Sequence, residues 1–251
     1  MAEAPAWADA VVVAAMPEEL RPLRALLADL RPVAGDFEMS CGQLAGRRVV
    51  LVVTGDGPRN ARAGTRAALA RTRARSLIAI GVAGALSPDL APGDLVAVRR
   101  VIRERGGTLC ASPSVLDAVA RGARPAVAVS AERIADSVAD KRRLLALAQP
   151  EPGVAAIVDL ESAAYAEAAT AAAIPWLVLR AVSDTSSEAL PSLLNRALDS
   201  GGAVHRGRVF AGLLGQPSAL PRLLALRRRV NACAETLAHS ATLVIGQLAL
   251  A

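Results

Sequence analysis

The sequence predicts an α/β fold, a single three-layer domain over residues 1–251 with a central mixed, mostly parallel sheet flanked by helices. Three observations predict it. Short Val/Ile-rich runs bounded by Gly, Pro or Asp alternate with Ala/Leu/Arg-rich stretches, the pattern of strands buried on both faces and the helices that cross between them. Apolar residues form 53% of the 251-residue chain and aromatics only 2%, so the core must be close-packed layers of Ala, Val, Leu and Ile. No Pro-, Gly- or Ser-rich linker divides the chain.

Residues 1–10 read as a flexible extension before the first apolar run, Val11 to Ala15, which is the first strand. Pro17 suits the first turn of a helix that runs to Leu30. Val49 to Thr54 is the next strand, and Gly55-Asp56-Gly57 turns it into a helix from Arg59 to Arg71. Ser76 to Ile80 follows as a strand. Leu90-Ala91-Pro92-Gly93 is a turn feeding the strand Asp94 to Val101. Strands at Ala126 to Ser130, Ala155 to Asp159 and Trp176 to Ser183 alternate with helices at Asp140 to Ala148 and Ser162 to Ala173.

A last helix runs from Leu220 toward the C-terminus. Leu223, Leu226, Val230, Cys233, Leu237, Ala241, Val244 and Leu248 share one face of it, with Arg222, Arg227, Arg228 and Arg229 near its start. That face docks on the parent domain or a subunit partner; the alternative is peripheral contact with a lipid substrate or membrane interface.

The formal charge of +6 is almost entirely Arg, scattered along the chain, with few aromatics to stack on bases. No nucleic-acid partner is expected. Cys41, Cys110 and Cys233 are far apart and lack CxxC spacing, which speaks against a disulfide framework or zinc site and fits a reducing cytoplasm. The acidic start MAEAPAWADA is unlike a signal peptide, and no stretch approaches the ~18 apolar residues of a membrane span. His205 and His239 sit in no Ser/His/Asp context; His205, beside Arg206 and Arg208, reads as solvated surface.

In such a sheet a ligand binds outside the carboxyl ends of the strands. Acids and glycines alternate there: Glu18-Glu19, Gly55-Asp56-Gly57, Gly81-Val82-Ala83-Gly84, Glu161 and Ser183-Asp184. The turn from Gly55 to Arg59 offers free backbone N–H groups to an anion or sugar oxygen, although an ordinary strand-to-helix turn has the same sequence. The small residues Ala83 and Gly84 would let a flat ligand lie against the backbone, or would serve close packing alone. A single acid at a strand end is usually a helix cap; Glu19, Glu161 and Asp184 together are a stronger signal.

The segments AAMPEEL, TGDGPRNARAG, IGVAGALSPDLAPGDLV, VDLESAA and VLRAVSD resemble, in order and spacing, the superfamily of nucleoside phosphorylases and methylthioadenosine/adenosylhomocysteine nucleosidases. Within it the tail LPRLLALRRRV and the variant motifs are most similar to the hopanoid-associated phosphorylase branch, which acts on adenosylhopane. The resemblance implies a nucleoside phosphorylase-like fold, N-ribosyl cleavage with release of adenine, and a homo-oligomer. It implies that Asp184 donates a proton to the purine, Glu161 binds ribose hydroxyls, Glu19 activates water, Ser183 orients Asp184 and Gly84 lies near the base.

The chemistry needs these residue types in its own right. Breaking a ribosyl C–N bond leaves positive charge on the sugar and negative charge on the base, so one acid must be protonated while neighbouring carboxylates stay ionised. Asp184 is expected to be the protonated one and Glu161 an ionised one. Three positions depart from the family pattern: Val82 replaces a hydroxyl residue that helps hold phosphate or the nucleophile, Leu160 a methionine under the ribose, and Ile134 a purine-stacking aromatic. No metal or organic cofactor is expected. Phosphate stays open as a co-substrate, favoured by Arg59 and Arg62 and opposed by Glu19. The partner is a small nucleoside, with a lipid tail on the hopanoid reading; a methylthioadenosine/adenosylhomocysteine nucleosidase and a non-catalytic nucleoside- or lipid-binding protein are the alternatives.

Overall fold

The computed structural model describes residues 7–113, 122–196 and 219–248. In chain order its elements are β1 (Trp7–Ala8), β2 (Ala10–Ala14), α1 (Pro17–Ala25), β3 (Ala28–Val33), β4 (Glu38–Leu44), β5 (Arg47–Val53), α2 (Pro58–Arg71), β6 (Arg73–Ala74), β7 (Leu77–Ala85), β8 (Leu95–Arg103), β9 (Thr108–Cys110), β10 (Arg124–Ser130), α3 (Val138–Ala148), β11 (Ala155–Asp159), α4 (Ser162–Ala171), β12 (Trp176–Asp184), α5 (Leu193–Arg196) and α6 (Leu220–Gln247).

The fold is the expected α/β arrangement, a central mixed sheet flanked by helices. Its mixed sheet has the order β11-β10-β8-β12-β7-β2-β5-β4-β3, and the end of β11 also pairs with the end of β7, closing β7, β12, β8, β10 and β11 into a ring. Helices cover both faces. On one, Ala61 and Ala68 of α2 and Ala163 to Ala169 of α4 pack on Val11, Val13, Val50 and Val178. On the other, Leu20 and Leu23 of α1 and Cys233, Leu237, Ala241 and Val244 of α6 pack on Val12, Leu51, Ile80 and Leu179. Neighbours in one strand thus face opposite layers, as the two-residue period requires.

Several boundaries differ from expectation. Residues 7–10 are no loose extension: Trp7–Ala8 pairs with Arg73–Ala74, and Ala10 begins β2 fully buried; residues 1–6 lie outside the described set. The first helix stops at Ala25, and the stretch expected to finish it turns back as the exposed strand β3 against β4. Neither β3 nor β4 alternates cleanly, because β3 is an exposed edge. β7 runs through Gly81-Val82-Ala83-Gly84 instead of ending before it, held by parallel pairing with β12. His239 is exposed, while His205, Arg206 and Arg208 lie outside the described residues.

Candidate active site

At the carboxyl ends of β2, β7, β11 and β12 the sheet opens on a cavity of about 320 Å³. It is lined by Glu19, Val82, Ala83, Gly84, Ile134, Leu160, Glu161, Ser183 and Asp184, nine of the eleven residues singled out from the sequence. Gly55 and Arg59 do not line it. Gly55 makes the positive-φ turn after β5 (φ 84°), and Arg59 is exposed on α2. Arg62 is likewise spent elsewhere, in an ion pair with Glu167 at 2.6 Å.

Glu19 follows Pro17 by two residues, so it sits in the first turn of α1 and points back across the sheet edge. One carboxylate oxygen accepts the Met16 N–H (3.0 Å), an ordinary helix-capping bond. The other accepts the Val82 N–H (3.0 Å), reaching from the first strand's end to β7. Burial raises its pKa, opposed by the charge of Arg180 and by the two backbone donors.

Glu161 begins α4 but does not cap it; its Oε1 accepts the N–H of Gly57 (2.8 Å). The Gly55–Arg59 turn does meet an acceptor oxygen, and that oxygen is the protein's own. Gly57 has φ 85°, which a glycine adopts freely and which aims its N–H at Glu161. Burial, and then the negative charge of Asp159, push Glu161 up to about 8.

Asp184 is reached through an irregularity in pairing. Val182 stands opposite Ala83 and Asp184 opposite Gly84, so Ser183 is an extra residue in β12 that re-aims the strand end. Ser183 Oγ donates to Asp184 Oδ1 (2.6 Å). Oδ2 meets the ammonium of Lys141 at 2.5 Å, both side chains being almost wholly buried. Glu161, expected to be ionised, is instead pushed toward its protonated form by burial. Glu19 and Glu161 are the carboxyls raised by burial, and Asp184 is half of an ion pair.

The sequence reading missed the cationic frame. Arg180 is buried in the middle of β12, its Nε donating to Asp159 (2.7 Å) and its Nη2 to Ser162 (3.1 Å), while Ser162 Oγ closes the cluster by bonding Asp159. Its charge acts on both Glu19 and Glu161. Gly81 must lack a side chain here: a Cβ would stand 2.5 Å from Arg180 Nη1 and 2.9 Å from Glu19 Oε1. A signal existed, since Arg180 interrupts an otherwise apolar strand four residues before Asp184. Nothing in the sequence around Lys141, on α3, pointed to the site.

A family model, "Phosphorylase superfamily", matches residues 9–199. The chain belongs to that superfamily and is an enzyme of it. Among individual proteins it is similar to a 5′-methylthioadenosine/S-adenosylhomocysteine nucleosidase of Mycobacterium bovis, 29% identical, the match covering 69% of this chain and 84% of the relative. Its fold matches that of an S-adenosylhomocysteine nucleosidase from Streptococcus pyogenes in complex with 5-methylthiotubericidin, with TM-score 0.77 and 17% identity over 98% of this chain and 100% of that one. It also matches a futalosine hydrolase of Helicobacter pylori, with TM-score 0.73 and 17% identity over 94% and 96%.

Proposed function

We propose that the protein hydrolyses the N-ribosyl bond of an adenosyl compound and releases adenine, as the names of its nucleosidase relatives describe for them. The observation that carries this reading is the convergence of Glu19, Glu161 and Asp184, from three separate strand ends, on one cavity. Asp184 faces the leaving base and delivers its proton. Glu161 holds the ribose hydroxyls. Glu19 takes a proton from the attacking water, a task suited to a carboxyl raised above its ordinary range by burial.

Water is favoured over phosphate as the nucleophile. Arg180, the buried cation nearest Glu19, is committed to Asp159, and the cavity-lining Arg133 is paired with Asp140 (2.9 Å). Arg59 is outside the cavity and Arg62 is paired with Glu167. A phosphate placed by Val82 would meet the carboxylate of Glu19, which already takes the backbone N–H there.

Leu190, Leu194, Leu226 and Val230, which also line the cavity, support an apolar 5′ substituent. A methylthio group fits that chemistry. A hopane skeleton is the second reading, favoured by the start of α6, where Leu226 and Val230 face the cavity while Leu220 and Leu224 stay exposed beside Arg222, Arg227 and Arg228. On that reading the lipid leaves the cavity along α6, which lies against a membrane surface. Among the described residues no helix is long and apolar enough to cross a membrane.

Adenine release from adenosine, methylthioadenosine and an adenosyl-hopanoid, each with and without phosphate, tests the proposal. Phosphate-independent release is the expected result. Preference for the thionucleoside removes the hopanoid reading, and no release from any of the three overturns the proposal in favour of a nucleoside- or lipid-binding protein.

A further inference from the structure

Lys141 is the only lysine in the chain; the other basic side chains, histidines aside, are 28 arginines. It is buried, and its ammonium donates to three acceptors: Asp184 Oδ2 (2.5 Å), the Thr185 carbonyl (2.6 Å) and the Glu188 carbonyl (2.9 Å). All three of its hydrogens are thereby used. Glu188 is itself fixed, its two carboxylate oxygens meeting the guanidinium of Arg229 on α6 at 2.6 and 2.7 Å. The same Oδ2 that meets Lys141 borders the cavity, since a Cβ on the cavity-lining Gly84 would lie 3.0 Å from it.

This arrangement sets a chemical problem. Resting on the reading of the site as adenine-releasing, Asp184 must hand over a proton, yet as a carboxylate paired with an ammonium it holds none. A guanidinium could stabilise that carboxylate but could not supply the proton, because arginine does not deprotonate in proteins. Lysine can.

We propose that Lys141 is the source of the proton that Asp184 delivers to the leaving base. As the ribosyl C–N bond opens, its electron pair passes to the purine and a ring nitrogen becomes basic. Lys141 passes a proton to Asp184, its Nζ–H bond breaking as an O–H bond forms on Oδ2, and that O–H bond breaks in turn as the N–H bond on the purine forms. Lys141 is left as a neutral amine and Asp184 again as a carboxylate; a proton from water restores the ammonium after product leaves. Lys141 acts through Asp184 and does not itself touch the substrate.

The test compares two leaving groups on the same sample, so that partial unfolding cancels in the ratio. Adenine needs a proton to leave; 4-nitrophenolate, from 4-nitrophenyl riboside, does not. In Lys141→Met and Lys141→Arg, adenine release falls at least about 10²-fold, the low end of what proton transfer contributes, while nitrophenolate release stays within a few-fold of wild type. Adenine release by Lys141→Arg near the wild-type rate overturns the inference, because positive charge alone then suffices. An equal fall with both substrates also overturns it and makes Lys141 a structural residue. Should neither variant fold, wild-type protein labelled with [ε-¹³C]lysine gives a single Cε resonance: an ammonium shift at pH 7 supports the inference and an amine shift overturns it. Failure of wild type to release adenine at all instead refutes the proposed function, a distinct outcome.

Discussion

The two ends of the parallel strands β7 and β12 carry a cavity each, and they differ in where charge is kept. At the amino ends Leu69, Thr72, Arg73, Ala74, Arg75 and Ala172 to Pro175 surround a space of about 480 Å³, larger than the one at the carboxyl ends. Its two arginines are exposed to water. The smaller cavity is ringed by Glu19, Asp159, Glu161 and Asp184, with Lys141 and Arg180 buried behind them. Size therefore does not mark the chemical end of this molecule. Desolvated charge does, because there burial raises the carboxyls of Glu19 and Glu161 and leaves their interactions unscreened by water.

The contrast is broken most directly at Asp184. Asp184→Asn should lower adenine release by about 10²–10⁴-fold, the contribution of a positioned acid, measured as base released per enzyme at saturating nucleoside. A fall of less than tenfold would remove the carboxyl-end acid from the chemistry.

Arg180→Met tests the frame. It strands Asp159 as a buried unpaired carboxylate, and removing one partner of such a pair costs about 3–5 kcal/mol; the denaturant midpoint reads this. Arg75, at the other end, stands 3.7 Å from Asp9 with its side chain 37% exposed, so Arg75→Ala should cost less than about 1 kcal/mol. Equal losses in the two variants would erase the difference between the ends.

A smaller effect should appear in the pH dependence of stability. Glu161 titrates near 8 in the folded protein against 4.5 ordinarily, so between those values the folded state holds a proton that the unfolded chain has released. Stability contributed by this group is full below pH 4.5 and declines as pH rises toward 8; Glu19 adds a shift of the same sign. The thermal midpoint should drop between pH 5 and pH 8 by on the order of 5 °C, and Glu161→Gln should flatten that slope. A midpoint that rises over this interval in wild type would contradict the burial assigned to these carboxyls.

The smallest change is Gly81→Ala, where one methyl group would press on Arg180 Nη1 and Glu19 Oε1. Overpacking of this kind costs about 1–3 kcal/mol. A folded Gly81→Ala protein of unchanged stability would show that these two side chains can yield, against the rigid frame described for this end.

Much of this was legible in the sequence, for a physical reason. The runs Val11–Val13, Val49–Val53 and, Arg180 apart, Trp176–Val182 are apolar and buried on both faces, so that pattern announced them, and strand ends follow directly from strands. Glu19, Glu161 and Asp184 were found because each is the acid at such an end. The exposed edge β3 was invisible because no buried face imposes a period on it, and β7 was expected to end at Ile80 because only pairing with β12 and β11 carries it on to Gly84.

The sequence by itself determined the α/β class, the strand ends and the three acids, since local hydrophobic period and position after a strand are properties of neighbours in the chain. The tertiary structure alone decided what those acids are. The Gly57 N–H meets Glu161 across 104 positions and Lys141 meets Asp184 across 43, and the state of a carboxyl depends on the charges, donors and water within a few ångströms of it. Those neighbours come from α2, α3 and β12 and are assembled only when the sheet closes.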